Sequence, residues 1–254
     1  MSAADLYEIP WPTKRLKYCA SYNDEVLSES TDELEAIEYV EISDVSLVGG
    51  IERSSPMLFH QAPSRARRRV QSGDILVSTV RTYLKAIAAV RFAPDNLIAS
   101  TGFCVIRPKD GLDPRYAGWA AKSEGFVGEV VSRSVGVSYP AINASQLVDI
   151  RVPFPPLKTQ GRIAAFLDKK AAQIDKLIAK KQALVDRLAE KRQAIITQAV
   201  TKGLNPGAPM KDSGIDWLGQ IPAHWEVRGL TKCTTRVDYR GATPEKSTSG
   251  VFLV

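Results

Sequence analysis

The longest regular pattern of apolar residues lies between positions 157 and 202, a stretch with no proline and with Gly161 as its one glycine near the start. Apolar side chains recur there at spacings of three, four and seven residues, which is the repeat of one helix face. They are Ile163, Leu167, Ile174, Leu177, Leu184, Leu188 and Ile195. The pattern predicts one helix of roughly 65 Å at about 1.5 Å per residue.

This apolar stripe is longer than the preceding domain could cover from end to end, so we expect a second helix to pack on the seven residues. Lys170, Lys181 and Lys191 interrupt the stripe and favour a partner with a matched, irregular pattern. Two copies of the chain pairing antiparallel would supply such a partner. The alternative is a helix that packs only on its own domain, with about six turns left uncovered.

The residues before the helix form short apolar and β-branched runs between turn signals, which predicts a mixed α/β domain. Asp113 and Pro114 fit the N-cap and first position of another helix. Prolines at 153–156 end this domain, and Gly203 ends the long helix. We therefore divide the chain into a domain over 1–155, a helix over 156–203, a linker over 204–225 and a last segment over 226–254. The predicted strands are 75–80, 86–90, 98–106 and 147–152.

Charge is unevenly distributed, although the formal net charge is only +6. Positions 23–52 hold ten acidic residues and no basic one, whereas positions 60–91 hold seven basic residues against Asp74 alone. Arginine suits phosphate and guanine, because its planar fork donates two parallel hydrogen bonds. The alternative is a solvated basic face. We expect the acidic segment, with Asn143 and Asp149, to face solvent or a protein rather than DNA.

Several classes of protein are excluded by what the sequence lacks. Three cysteines without a Cys-x-x-Cys pair and only two histidines argue against disulfides and structural zinc, so we expect no metal site. No apolar run suits a signal peptide or a membrane span, which predicts a cytoplasmic protein. Phe154-Pro155-Pro156-Leu157 is the nearest approach to an adenine-methyltransferase tetrad. Asp95 with Asp168 imitates a nuclease site, but Asp168 belongs to the long helix. We expect no catalytic residue.

Two stretches near the ends of the chain are alike. Residues 8–10 (EIP) resemble 220–222 (QIP), and residues 14–19 resemble 228–233 after a gap. The likeness suggests that a second copy of the first domain opens near residue 220.

The residues from Val152 to Glu226 resemble the specificity subunits of type I restriction-modification systems. Two signatures carry the resemblance: a Gln-x-x-Ile-Ala-x-x-Leu-Asp motif at 160–168 that opens a long coiled-coil helix, and KDSGIDWLGQIPAHW at 211–225. Further matches are GDIL at 73–76, STVRTYL at 78–84, AST at 99–101 and SYP at 138–140. Family members usually carry two recognition domains and two antiparallel helices. We therefore interpret 226–254 as a truncated second recognition domain, whether in a half-length subunit, a truncated product or a fragment.

The resemblance implies a non-catalytic, sequence-specific DNA-binding subunit that directs methyltransferase and restriction subunits to a split double-stranded target. S-adenosylmethionine, ATP and Mg²⁺ would belong to those partners, and this chain would bind no cofactor. A protein-interaction adaptor or decoy, and a nuclease acting alone, are the competing interpretations. We expect loop residues to contact DNA, against the alternative of ordinary surface charges or a core-facing tyrosine. They are Arg65, Arg67, Arg68 and Arg69 for phosphate or guanine, Arg81, Tyr83 and Lys85 for positioning, and Arg133, Ser138 and Tyr139 on a second loop.

Overall fold

A computed structural model gives the architecture of the chain and describes residues 11–235. The strands are β1 (Thr13–Arg15), β2 (Ala20–Tyr22), β3 (Ala36–Val40), β4 (Val45–Ser46), β5 (Gly50–Ile51), β6 (Ser55–Leu58), β7 (Ala66–Arg69), β8 (Ile75–Ser78), β9 (Ile87–Ala89), β10 (Leu97–Ser100), β11 (Phe103–Pro108), β12 (Arg151–Pro153), β13 (Met210–Asp212) and β14 (Gln220–Pro222). The helices are α1 (Pro114–Ala121), α2 (Glu124–Ser132), α3 (Ala144–Leu147), α4 (Leu157–Lys202) and α5 (Leu230–Cys233).

The first domain has three layers: two four-stranded sheets in the orders β6-β3-β10-β7 and β2-β11-β8-β9, and the helices α1 and α2. Strand β8 shows how the middle sheet is covered on both of its faces. Ile75 and Val77 pack with the helices, whereas Leu76 belongs to the core shared with the other sheet. Alternate residues of a strand point to opposite faces, so a strand covered on both faces is apolar throughout. The predicted mixed α/β domain is confirmed.

Two predicted strands are wrong in extent. Residues 98–106 form not one strand but two, β10 and β11, separated at Thr101-Gly102 and paired in different sheets. A strand that changes sheet must turn, and Gly102 provides the room, since a Cβ there would lie 2.8 Å from Ile42 Cδ1. Residues 147–152 begin as the end of α3, and only Arg151–Pro153 is a strand.

Helix α1 begins where the sequence predicts. The Asp113 side chain accepts hydrogen bonds from the backbone N–H groups of Arg115 and Tyr116, and Pro114 occupies the first turn. The helix lies close to β9, because a Cβ on Gly118 would come within 2.5 Å of the Ala89 Cβ. Glycine at 118 thus allows the close helix–sheet contact.

The predicted long helix is confirmed as α4, one continuous helix of 46 residues. Gln160 and Ala164 are buried, and Ile163 packs against the core of the first domain. From Ile174 onward the apolar stripe is exposed, with Leu177, Leu184, Leu188 and Ile195 each 50–58% accessible. The stripe therefore divides into a short part that packs on the domain and a long part open to a partner.

The structure divides into two compact units, residues 1–175 and 176–254. In the second unit, Gly203 adopts a φ of +77° at the end of α4, as the sequence predicts for a helix-ending glycine. The segment predicted as a linker contains the antiparallel pair β13–β14, and Ile221 is buried in it. Residues 8–10 of the end-to-end repeat, and residues 236–254 of the segment interpreted as a second recognition domain, lie outside the described residues.

Candidate nucleic-acid interface

Two loops far apart in sequence, residues 79–85 and 133–141, are joined into one surface that we call the paired loops. The backbone N–H of Ile142 donates to the Thr79 carbonyl at 2.9 Å, and Thr82 Oγ1 donates to Ser134 Oγ at 2.8 Å. Val135 and Ala141 exchange two backbone hydrogen bonds. These hydrogen bonds hold the two loops together, while Arg81, Tyr83, Ser138 and Tyr139 on them stay exposed.

The first loop places its charged residues by an unusual backbone. Arg81 (φ 51°) and Lys85 (φ 52°) are both left-handed and flank a 3-10 turn over Thr82–Leu84. Such a conformation costs a non-glycine residue of order 1–3 kcal/mol and persists only where neighbours enforce it. Thr82 is buried, whereas Arg81, Tyr83 and Lys85 are exposed. The turn thus presents three predicted DNA-binding side chains on one short arc.

The second loop places an aromatic ring beside this arc. The Arg81 guanidinium lies over the Tyr139 ring, 4.9 Å from its centroid. Gly136 has a φ of +116°, and a Cβ there would lie 3.2 Å from the Tyr139 carbonyl oxygen. Ser138 is exposed and Tyr139 is 66% accessible. Six predicted residues therefore belong to the paired loops, namely Arg81, Tyr83, Lys85, Arg133, Ser138 and Tyr139.

The run of arginines in and before β7 is not brought together on one face. Arg68 and Arg69 are successive strand residues, so they point to opposite faces. Arg69 pairs with Glu35 at 3.1 Å, and Arg67 lies over the Phe59 ring. Arg68 is partly buried and its Nε has no hydrogen-bond partner among the described residues.

Arg65 is the member of this run most available to a ligand. Its side chain is 58% accessible, and it donates to Tyr39 Oη at 3.3 Å and to Glu41 Oε2 at 2.8 Å. A hydrogen bond from Ser43 and attraction by Arg65 and Arg81 lower the pKa of the Glu41 carboxyl. Glu41 therefore connects Arg65 electrostatically with the paired loops.

Three carboxylates of the acidic segment form ion pairs within the domain while they stay partly exposed to solvent. Glu35 and Glu41 pair with Arg69 and Arg65, and Glu25 pairs with Arg107. The physical reason is the strand order, since β3 and β7 flank β10 in one sheet. The acidic and basic segments thus neutralise each other in part.

Asp149 likewise does not stand free, and it reveals basic residues that the sequence analysis missed. It pairs with Lys17 at 2.7 Å and with Arg15 at 3.1 Å. A hydrogen bond from Lys17, then attraction by Arg15, Lys17 and Arg133, lowers the pKa of its carboxyl. Arg133 also donates to Glu129. In the sequence, the basic residues Arg15 and Lys17 next to the aromatic Tyr18 were the signal that could have indicated this cluster.

Asp168, one of the two carboxylates that imitate a nuclease site in the sequence, has packing partners in the structure. Asp168 accepts a hydrogen bond from Trp119 Nε1 at 2.9 Å and pairs with Arg91. Across residues 11–235, no three His, Cys, Asp or Glu side chains are grouped to hold a metal ion. Within that range no helix is both long and apolar enough for a bilayer. Asp168 thus serves helix packing in this structure.

Comparison with known proteins explains the combination of an α/β domain, paired loops and a long helix. The family model described as the type I restriction modification DNA specificity domain matches residues 65–187. This part of the chain is therefore similar to the specificity subunits of type I restriction-modification systems. The matched range contains the first of the paired loops, the second loop and the start of α4, which are the parts that form the candidate interface and the helix.

Individual relatives agree with this family. The putative type I restriction enzyme MjaX specificity subunit of Methanocaldococcus jannaschii is 27% identical over 168 residues, covering 64% of this chain and 37% of the relative. The crystal structure of the HsdS subunit from Thermoanaerobacter tengcongensis is 31% identical with a TM-score of 0.60, covering 82% and 53%. A chain from a structure of complex assembly in a type I R-M system is 30% identical with a TM-score of 0.62, covering 82% and 55%.

The chain spans about half the length of these two solved relatives and 37% of the curated one. Their likeness bears out the mixed α/β fold with its long helix. The family's helix-opening motif also gains a structural meaning here, because Gln160 and Ala164 are buried and Asp168 bonds to α1.

Proposed function

We propose that this specificity-family chain binds double-stranded DNA in a sequence-specific manner through the paired loops. The observation that carries the proposal is the joining of the two loops, which places Arg81 and Lys85 of the first loop on one surface with Ser138 and Tyr139 of the second. Loops held on a rigid scaffold are the usual place for recognition residues. A major groove distinguishes all four base pairs by hydrogen bonds, and arginine, serine and tyrosine supply matching groups.

The basic residues of the proposed interface differ in whether they suit base edges or phosphates. Arg65 donates to Glu41 and Arg81 lies over the Tyr139 ring, so both are held in place, as residues that read base edges must be. Lys85, with an exposed and unbraced side chain, suits a phosphate, which carries no sequence information. Arg67, Arg68 and Arg69 have partners or burial within the domain, so we assign them a smaller share of binding.

Duplex selection with the full chain tests this function. We expect a preferred sequence to emerge from a randomised duplex pool, with affinity falling steeply as salt rises. Removing one phosphate contact with Lys85→Ala should lower the salt slope by about 0.9 and leave the preferred sequence unchanged. Lys180→Ala, on the exposed part of α4, is the matched control and should change neither. Binding without any preference in the assembled complex would leave the adaptor interpretation standing.

We further propose that the chain brings methyltransferase and restriction subunits to a split target, in the cytoplasm where that DNA lies. It would catalyse nothing itself and bind no cofactor, with S-adenosylmethionine, ATP and Mg²⁺ held by the partners. The exposed apolar side chains of α4 support a helix partner. Incubating the purified chain with duplex and Mg²⁺ should yield intact DNA, and cleavage by the chain alone would favour the nuclease interpretation.

We also propose an antiparallel homodimer in which the exposed stripes of two copies of α4 cover each other. Its core would be Leu177, Leu184 and Leu188, each at least half accessible in one chain. Sedimentation should show a dimer that Leu184→Lys with Leu188→Lys converts to a monomer. Ala179→Lys, off the stripe, is the control. A strict monomer with an intact helix would contradict the homodimer without affecting DNA reading.

A further inference from the structure

The second of the paired loops carries an apolar side chain that is open to solvent. Val137 is fully exposed, and Ser138 and Tyr139 follow it directly. We propose that Val137 is a specificity-determining residue that packs against the 5-methyl group of a thymine in the major groove. This inference deepens the proposed function and rests on it, because it requires that the paired loops face a duplex.

The backbone that carries Val137 is held from two sides. The Ala141 N–H donates to the Val135 carbonyl at 3.0 Å, and the Val135 N–H donates to the Ala141 carbonyl at 2.8 Å, which closes residues 136–140 into a short loop. Ala141 also forms a backbone bridge with Val80 of the first loop. The position of Val137 is therefore supported by both of the paired loops.

Valine at position 137 is both apolar and stiff. A β-branched side chain has few χ1 rotamers, so Val137 loses little conformational entropy when it makes a contact. Removing apolar surface from water is favourable, and the burial of one methyl group corresponds to about a fourfold gain in affinity. A contact between Val137 and one methyl group of a ligand therefore has a measurable effect.

The side chains near Val137 on the paired loops favour DNA over a protein as the ligand. Arg81 lies over the Tyr139 ring, and the Arg81 and Lys85 side chains are exposed. The centre of a protein–protein interface is depleted of charged residues, lysine among them. Phosphates, in contrast, attract such residues. An exposed apolar side chain on a basic surface therefore fits a duplex.

The major groove presents one apolar group to a protein, the 5-methyl group of thymine. The hydrogen-bonding side chains of Arg81 and Ser138 suit the polar edges of the bases, whereas the Val137 side chain suits this methyl group. In the minor groove, A·T and T·A pairs present the same acceptors and no methyl group. The exposed valine thus predicts that the preferred sequence contains thymine and that the second loop enters the major groove.

Duplexes that lack one methyl group test this contact with the full chain. The preferred duplex is selected first, and each of its thymines is then replaced in turn by deoxyuridine, which removes the 5-methyl group and keeps the base-pairing groups. At one thymine we expect the wild-type chain to lose affinity about fourfold. Val137→Ser, which removes both γ-methyl groups, should lose about as much on the thymine duplex. Deoxyuridine at that position should then cause no further loss.

Val48→Ser is the matched control, because Val48 is an 89% accessible valine between β4 and β5, outside the paired loops. This variant should keep both the wild-type affinity and the effect of deoxyuridine. Both substitutions lie on the surface, so we expect each variant to fold, which circular dichroism checks. Retention of the deoxyuridine effect in Val137→Ser would overturn the proposal, since another residue would then contact the methyl group.

The remaining outcomes separate this inference from the proposed function. A wild-type chain that selects a duplex without thymine, or that binds every deoxyuridine duplex as tightly as the thymine duplex, overturns the role of Val137 and leaves DNA binding intact. A wild-type chain that selects no duplex overturns the proposed function, and the role of Val137 with it.

Discussion

The guanidinium of Arg81 lies over the ring of Tyr139, with 4.9 Å between its carbon and the ring centroid. Each residue lies on a different loop, and the loops are joined by a backbone hydrogen bond in which the Ile142 N–H donates to the Thr79 carbonyl. A guanidinium stacked on an aromatic face keeps its edge free to donate. This arrangement is suited to a bidentate contact with a guanine or a phosphate.

Replacing Arg81 should therefore affect recognition more than general affinity. Arg81→Ala is expected to weaken binding to the preferred duplex by about 1–3 kcal/mol, roughly five- to 150-fold, and to relax the preference at one base pair. Arg81→Lys should restore affinity in part and preference hardly at all, because an ammonium cannot make the bidentate contact. Competition binding with single-base variants of the duplex measures both.

Arg162→Ala, on the exposed side of α4, serves as the control for this pair of variants. A uniform loss of affinity for every duplex, with the base preference retained, would show that Arg81 contacts phosphate. If the Tyr139 ring holds the Arg81 guanidinium in place, Tyr139→Leu should also lower the preference for the selected base pair.

Glu41 should limit non-specific binding to DNA. Because the pKa of its carboxyl is lowered, Glu41 is ionised at neutral pH and repels phosphate while it holds Arg65. Glu41→Gln is expected to raise affinity for random duplex about two- to fivefold, the size of one exposed ion pair, and to steepen the salt dependence. Any stability that the charged carboxyl contributes is present above its ordinary pKa and is lost as pH falls through the lowered value. Anisotropy titrations at several salt concentrations check this, and unchanged affinity for random duplex would contradict it.

Gln160 should be important for the stability of the first domain. Gln160→Ala leaves the Asp113 N–H and the Gly111 and Pro155 carbonyls without their partner, so we expect the free energy of unfolding to fall by about 2–4 kcal/mol. Gln173→Ala, exposed on the same helix, should change it by less than about 0.5 kcal/mol. Urea denaturation followed by tryptophan fluorescence measures the difference, and a Gln160→Ala variant as stable as its control would refute the prediction.

The cysteines should differ sharply in reactivity. Burial raises the pKa of the Cys104 thiol from 9.0 to about 12, whereas Cys233 is exposed. With a thiol reagent at pH 8, Cys233 should react at once and Cys104 only after unfolding, because the thiolate is the reactive species. Cys233→Ser should remove the fast phase, and a fast phase that remained in this variant would contradict the assignment.

The same thiol makes stability depend on alkaline pH. A folded-state pKa above the unfolded one contributes stability that is fully present below about 9 and is lost as pH rises toward about 12. The melting temperature of the wild-type chain should therefore fall over that interval more than that of Cys104→Ala. Parallel loss in both proteins would assign the effect to other groups.

Local patterns in the sequence were enough to determine helix α4 and its ends. The helix follows from the absence of proline over 157–202, from the apolar repeat and from Gly203 at its end. Each of these signals depends only on residues one or two turns away along the chain. The N-cap at Asp113 was predictable for the same reason, since its acceptors and donors lie within three residues. The helix motif and the tract at 211–225 also identified the family by resemblance, which the comparisons confirm.

The candidate interface was decided by tertiary structure. The sequence offered a run of arginines at 65–69, but strand alternation sends them to different faces, and the carboxylates of Glu35 and Glu41, just before and just after β3, pair with two of them. The paired loops are about fifty residues apart, and nothing local to either specifies that Thr79 meets Ile142. Helix and cap signals are local, whereas strand order, ion pairing and loop contact depend on which distant segments the core brings together. Strand order, ion pairs and loop contacts could therefore be determined only from the tertiary structure.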